Sequence, residues 1–363
     1  MRTFELDYTT GVAPLTVTAR LFTLQWSAWR WTLNGAIHKP NDSTPHTFVL
    51  PAGTHAISVT GIDRASGLTV QDETVVVTVT RAPFQYGMQT FSELAHEREL
   101  VTLVENGYTL CRVEAPRELA AAVKPDPPPE GAVTALLDCY ARTMQQYSRH
   151  GLTCLWVIEP QEAPYVPVFS SVDFMNEMNI GWVGRSWQRM TPAQYRSELL
   201  AALPALVLRR ATVYAGVASD TDTTAVEWTR QVLIGVPPSV RVSWHRYPNQ
   251  NRFDRPKKGW KTRALETAGV MRANGGRPFA ITEYCYPSQY LQEYCWGLFE
   301  VKRTMPQAEQ LRVERLECAH WKAQGADAVI RYQIRDGVGD TFGALMLNNQ
   351  WRKVIAVPMG GRP

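Results

Sequence analysis

No run of apolar residues in this 363-residue chain is long enough to cross a bilayer, so membrane insertion is not expected. The opening stretch, MRTFELDYTT, has no apolar segment of the kind that precedes a leader cleavage site, so no secretory signal is expected there. The seven histidines are scattered with no HExxH spacing, and none of the six cysteines forms a CxxC, so no metal set is expected. GxSxG elbows, Walker loops and GxGxxG turns are all missing, and no cofactor is expected. The net charge of +4 is too mild to argue for nucleic acid. Cys111, Cys154 and Cys285 sit in or beside apolar strand-like runs, and the cysteines read as buried free thiols. A Cys285–Cys295 bridge is the alternative and would suit an oxidising compartment.

What is present is ordinary globular material, 45% hydrophobic and 20% charged, enough for a large core and, by length, two domains. Residues 1–81 read as all-β. LTVTARLF, HTFVL, HAISVTGI and ETVVVTVT are short β-branched runs separated by turn signals such as Asn34-Gly35 and Ser66-Gly67. That spacing predicts a small β-sandwich. GVAPLTVTAR, WRWTLNG and PHTFVLPAGTHAISVTGID together resemble a PKD-type, immunoglobulin-like domain, departing from it at TLNG, where an acidic turn is more usual. An extracellular or cell-surface setting is what that resemblance implies. Trp29 and Trp31 share one face of their strand, where they pack a core or, alternatively, offer a platform for a sugar.

From TRAPFQYG onward the grammar changes, and residues 82–363 alternate strand and helix. The strand candidates are FQYGMQ, YTLCRVEA, LTCLWVIE, SVDFMNE, ATVYAGVA, VRVSWHRY, PFAITEY and AVIRYQIRD. Thr191-Pro192-Ala193-Gln194 is a capping box with proline at the first helical position. Helical patterns close on Asn106-Gly107 and on Gly325. Eight such units predict a (β/α)8 TIM barrel, with a doubly wound sheet as the runner-up.

A barrel of this kind places its active site at the C-terminal ends of the strands. The fourth candidate strand ends in Asn176-Glu177 and the seventh in Glu283. Strict alternation puts Phe279, Ile281 and Glu283 on one barrel-lining face. Two carboxylates at one mouth suit a retaining glycosidase, which needs them about 5–5.5 Å apart. Asn176 and Glu177 are adjacent, so a bulge or strand break is required for both to serve one site.

Asn-Glu after strand four and a lone glutamate after strand seven resemble the pattern of clan A of the glycoside hydrolases, over residues 84–355. The resemblance implies Glu177 as acid/base, Glu283 as nucleophile and Asn176 as the partner of the sugar 2-hydroxyl. It also implies Arg112, in LCRVEA, beside the nucleophile, and His245 and Tyr247, in SWHRYP, near acid/base and nucleophile. The closing segment YQIRDGVGDTFGALMLNNQWRKV is similar to the clan's, but the tryptophan often found after strand eight is replaced by IRYQIRD, leaving Tyr332 or Gln333 to floor the subsite. Trp182, Trp187, Tyr165, Trp260, Tyr286 and Tyr290 flank the strand ends, where aromatic rings suit sugar faces. Glu162 and Asp336 are competing acids in loop-like contexts.

The expected activity is endo-hydrolysis of a β-linked polysaccharide. The basic stretch HRYPNQNRFDRPKKGWKTR is read as a solvated face, or as a contact for uronates. The rival reading is a carbohydrate-binding or structural protein whose barrel is inactive. The sequence leaves the oligomeric state open.

Overall fold

The structure is a computed structural model that describes residues 4–6, 10–12, 15–21, 26–40, 46–50, 53–71, 74–80, 84–90, 97–179, 189–218, 221, 223–246, 263–284, 289–294, 299–304 and 307–332. The chain divides into two compact units, Met1–Pro83 and Phe84–Pro363. In the first, β1 (Phe4–Leu6), β3 (Leu15–Leu21) and β6 (His46–Leu50) form one sheet. A second sheet orders β2 (Thr10–Val12), β9 (Val75–Thr80), β7 (Gly53–Asp63), β4 (Trp26–Leu33) and β5 (Ala36–Pro40), with β8 (Thr69–Gln71) pairing β7. Alternation along β9 buries Val75, Val77 and Val79, which join Phe48 and Leu50 of the other sheet in one core. Trp31 is fully buried there, edge-on to Phe4 and Phe48, and Trp29 packs against the same cluster. Trp31 therefore does core work, and no sugar can stack on it.

In the second unit eight parallel strands close into a barrel: β10 (Gln85–Gln89), β11 (Leu110–Glu114), β12 (Thr153–Ile158), β13 (Ser171–Phe174), β14 (Thr212–Ala218), β15 (Arg241–Arg246), β16 (Phe279–Tyr284) and β19 (Ala328–Arg331). Every candidate strand of the sequence reading is found. Helices α1 (Glu97–Glu105), α2 (Arg117–Ala122), α3 (Glu130–Arg149), α4 (Pro192–Leu208), α5 (Thr223–Val232), α6 (Arg263–Asn274) and α7 (Gln307–Ala323) occupy the connections. The sequence reading missed an antiparallel pair, β17 (Gln289–Tyr294) with β18 (Phe299–Thr304), between the seventh barrel strand and α7. Polar residues interrupt any clean alternation in QYLQEY and FEVKRT, so the sequence carries no clear strand signal there.

The capping box is formed as expected: Gln194 N donates to Thr191 Oγ1 at 3.3 Å and Thr191 N to Gln194 Oε1 at 2.9 Å, with Pro192 opening α4. The barrel interior is filled in layers. Near the strand starts, Arg241 Nη1 donates to Asp327 Oδ2 (2.9 Å) and Tyr214 Oη (3.1 Å). Above lies an apolar layer of Leu110, Leu155, Ala280, Ala328 and Ile330. Ile330 fills the space beside Gly87, where a Cβ would sit 2.8 Å from its Cγ1, so the lone glycine of β10 is a packing requirement. Outside the strands, two apolar clusters pack against the helices, one of them around Trp244, Phe279, Ile281 and Trp321.

Buried ion pairs tie helices to strand ends. Arg246, beyond His245 on β15, meets Glu266 of α6 (3.0 Å) and Glu317 of α7 (3.3 Å), and Arg263 meets Glu317 at 2.8 Å. Burial raises the Glu317 carboxyl, but Arg246 and Arg263 outweigh it and hold the carboxyl below its ordinary range. On the same helix, burial, with Arg263 adding to it, pushes the His320 imidazole down to about 4. Both shifts act in one direction on stability. Between the ordinary histidine value and about 4, the unfolded chain takes a proton at position 320 that the fold refuses; below the ordinary carboxylate range Glu317 does the same. The urea midpoint is therefore expected to fall steadily from about pH 6.5 downward. His320→Asn should flatten the upper part of that fall; a midpoint flat in wild type from pH 7 to 4.5 would contradict the assignment.

Candidate active site

The mouth of the barrel is built around one guanidinium. Arg112 stands on β11 among buried apolar neighbours and is itself 1% exposed. Its Nε donates to Asp173 Oδ2 at 2.9 Å, and Nη1 to both Gln89 Oε1 (2.8 Å) and Glu283 Oε1 (2.5 Å). Nη2 donates to Asn176 Oδ1 at 2.8 Å. Burial opposes the charge on Arg112, but Glu283 and Asp173 more than offset it, and the guanidinium is held above its ordinary value. One cation thus links strands β10, β11, β13 and β16.

Two local departures from regular strand bring the carboxylates together. β13 ends at Phe174, and Met175 (φ +59°) and Glu177 (φ +50°) both take the left-handed region on either side of Asn176. Such conformations are uncommon for side chains of this kind, and strain of this sort gathers at functional sites. The required strand break is this turn. It is pinned from below, since Tyr195 Oη of α4 donates to Phe174 O and accepts from Gly216 N at 3.2 Å. Met175 N donates to Ile158 O of β12 at 2.8 Å.

Glu283 reaches the mouth by a different route from the one alternation predicts. Phe279 and Ile281 face the helices with Trp321, whereas Ala280 lines the interior. Continued alternation would send Glu283 outward. The β15–β16 register slips between Trp244↔Ile281 and His245↔Glu283, and that irregularity turns Glu283 inward, opposite His245.

His245, fully buried, lies between the two acids. Its Nδ1 is 2.8 Å from Glu177 Oε1 and 3.3 Å from Glu283 Oε2. One carboxylate oxygen each of Glu177 and Glu283 and one ring nitrogen of His245 lie within 4.8 Å of one another. Two carboxylates and an imidazole are also a cation's ligand types. The guanidinium argues against that use, because Arg112 already puts a positive charge 2.5 Å from Glu283.

The structure therefore brings together Glu177, Glu283, Asn176, Arg112 and His245. Tyr332 is half-buried after the last barrel strand, its N–H bonded to Tyr284 O at 2.9 Å. Tyr247, Gln333, Trp182, Trp187, Trp260, Tyr286, Asp336 and the Cys285–Cys295 pair lie outside the described residues. Tyr290 falls on β17, and Tyr165 packs against the outer core. Glu162 is a structural acid: buried, it accepts from Tyr140 Oη (2.8 Å) and Glu159 N (2.9 Å) and closes a short 3-10 turn, Pro160–Glu162. Cys111, Cys154 and Cys318 are free thiols, and Cys139 is buried. The sequence reading missed Asp173 and Gln89. The signal for Asp173 was available: an acid between Val172 and Phe174 in a barrel strand demands a buried partner, and Arg112 is the matching cation in LCRVE.

The sequence matches no protein-family model and no curated protein. Among solved structures, a GH5-4 broad specificity endoglucanase from Clostridium acetobutylicum is similar with a TM-score of 0.50 and 12% identity, over 74% of this chain and 93% of that one. A family 1 β-glucosidase from Thermotoga maritima has a TM-score of 0.45 at 11% identity, covering 76% and 95%. A Bacteroides ovatus GH5 xyloglucanase in complex with a XXXG heptasaccharide has a TM-score of 0.46 at 10% identity, covering 94% and 95%. The structural neighbours are clan A glycoside hydrolases, and at these identities the likeness shows the barrel fold.

Proposed function

We propose that this protein is a retaining glycoside hydrolase that cleaves a β-linked polysaccharide internally by double displacement. The observation that carries the reading is the closeness of Glu177 and Glu283, one carboxylate oxygen of each lying within 4.8 Å of the other. An inverting enzyme holds its carboxyls about 6.5–9.5 Å apart to seat a water, and a retaining one about 5–5.5 Å apart. Glu283, ion-paired with Arg112, is the nucleophile that attacks the anomeric carbon. Glu177 protonates the departing oxygen and then, ionised, draws a proton from the water that releases the glycosyl group.

His245 Nδ1, within reach of both acids, orients Glu177 and shares its hydrogen bond with Glu283 as charge moves between them. Asn176, whose carbonyl oxygen accepts from Arg112 and is thereby held in place, is the partner of the sugar 2-hydroxyl in this proposal. Tyr247, Tyr332, Gln333 and Trp182 complete the substrate contacts in this proposal. The N-terminal unit is proposed as a PKD-type, immunoglobulin-like domain; the two sheets sharing a core around Trp31 support that reading.

The test is a screen of β-linked polysaccharides and aryl β-glycosides for release of reducing ends, with the product anomer read by NMR. The expected first product has the β configuration. A first-formed α anomer would replace the mechanism by inversion, and binding without release would replace the enzyme by a glycan-binding protein.

A further inference from the structure

Asp173 has no step to perform in the proposed reaction, yet it is the most deeply committed acid near the site. It is fully buried on β13. Oδ2 accepts from Arg112 Nε at 2.9 Å, and Oδ1, also buried, has no hydrogen-bond partner among the described residues. Stability alone is a weak reason for such a carboxylate, since replacing a whole buried ion pair by apolar residues is often neutral or stabilising. Among the described residues, its side-chain hydrogen bonding is with Arg112. The guanidinium is a rigid planar fork, so fixing its Nε edge fixes where Nη1 and Nη2 point. Those nitrogens carry the bonds to Gln89, Glu283 and Asn176.

From this geometry we infer that Asp173 is a positioning residue for the nucleophile. It aligns Arg112 so that one side chain holds Glu283 and Asn176 in fixed relation. It also takes up part of the Arg112 charge, so that Glu283 is held ionised without being bound too tightly to attack. Among the described residues, Arg112, His245 and Glu177 face Glu283, while Asp173 and Glu114 bear on it through Arg112. The inference rests on the glycosidase reading for its functional meaning, but the alignment itself is testable without turnover.

The experiment follows the Glu283 carboxyl by NMR titration of protein labelled with 13C-glutamate, assigned by comparison with E283Q. With the Asp173 charge removed, Arg112 acts on Glu283 unopposed, and its ionised form is favoured further. In Asp173→Asn the Glu283 transition is therefore expected at lower pH than in wild type. Asp173→Ser, which keeps a smaller acceptor near Nε, is expected to shift it the same way. An unmoved transition in a folded variant overturns the inference. So does failure of both variants to fold while E283Q folds, which would make Asp173 a residue of the fold alone.

In the activity arm, Asp173→Asn is expected to lower kcat/KM for a dinitrophenyl β-glycoside about 100-fold, the scale of a small misplacement of a reacting group. It should also carry the acid limb of the pH profile downward. The loss should be smaller in an Arg112→Lys background, because both changes disable one device. Full additivity would count against action through Arg112. A wild type that hydrolyses nothing would remove the proposed function and leave the titration arm to decide the alignment.

Discussion

Glu283→Ala is expected to reduce kcat/KM toward aryl β-glycosides by about 10⁴-fold or more, the scale on which losing a covalent nucleophile acts. The variant should remain folded. Asp173 stays on the Nε edge of Arg112, and Gln89 and Asn176 keep their bonds to the two terminal nitrogens, so the guanidinium is not left as a bare buried charge. Truncation also opens a space lined by a cation, and azide should enter it. Attack by azide from the side of the lost carboxylate would restore turnover and give an α-glycosyl azide. Wild-type rates in Glu283→Ala with an unchanged melting temperature would remove the nucleophile assignment. Loss of the melting transition would instead show that Arg112 needs Glu283 to stay buried.

The difference between Glu283 as read and Glu283 as found shows where one-dimensional reasoning stops. The eight strands were legible because β-branched and aromatic runs alternate with capped helices, and capping chemistry is local: Thr191 and Gln194 are three residues apart and bond each other. The closure of β10 on β19 follows from the count of units. The acids themselves were legible as strand-end residues. What alternation could not supply was the slip between Trp244↔Ile281 and His245↔Glu283, because a bulge is fixed by pairing with a neighbouring strand. The break at Met175–Glu177 was legible only as a necessity, since adjacent side chains had to face one site; that it takes the form of two left-handed residues depends on anchors such as Tyr195, 21 residues from Phe174 in sequence. Asp173 and Gln89 went unseen because their meaning is a partner, Arg112, 61 residues from one and 23 from the other.

The roles of the two acids separate most sharply at Glu177, where leaving-group chemistry distinguishes an acid from a mere neighbour. Glu177→Ala is expected to slow hydrolysis of a natural glycan by about 10³- to 10⁴-fold, the upper range for general acid–base catalysis. A dinitrophenyl glycoside needs no proton on its departing oxygen, so Glu283, still held by Arg112 at 2.5 Å, should form the glycosyl-enzyme at close to the normal rate. Water then lacks its base, and the intermediate should accumulate. The signature is a burst of dinitrophenolate followed by a slow steady state, with kcat and KM falling together. Azide, which needs no base, should relieve the slow step and give a β-glycosyl azide, the anomer opposite to that from Glu283→Ala. His245 loses its 2.8 Å partner in this variant but keeps Glu283 Oε2 at 3.3 Å, so the nucleophile side of the site is expected to persist. Equal losses for good and poor leaving groups, or no burst, would show that Glu177 is not the proton donor, whatever its distance from Glu283.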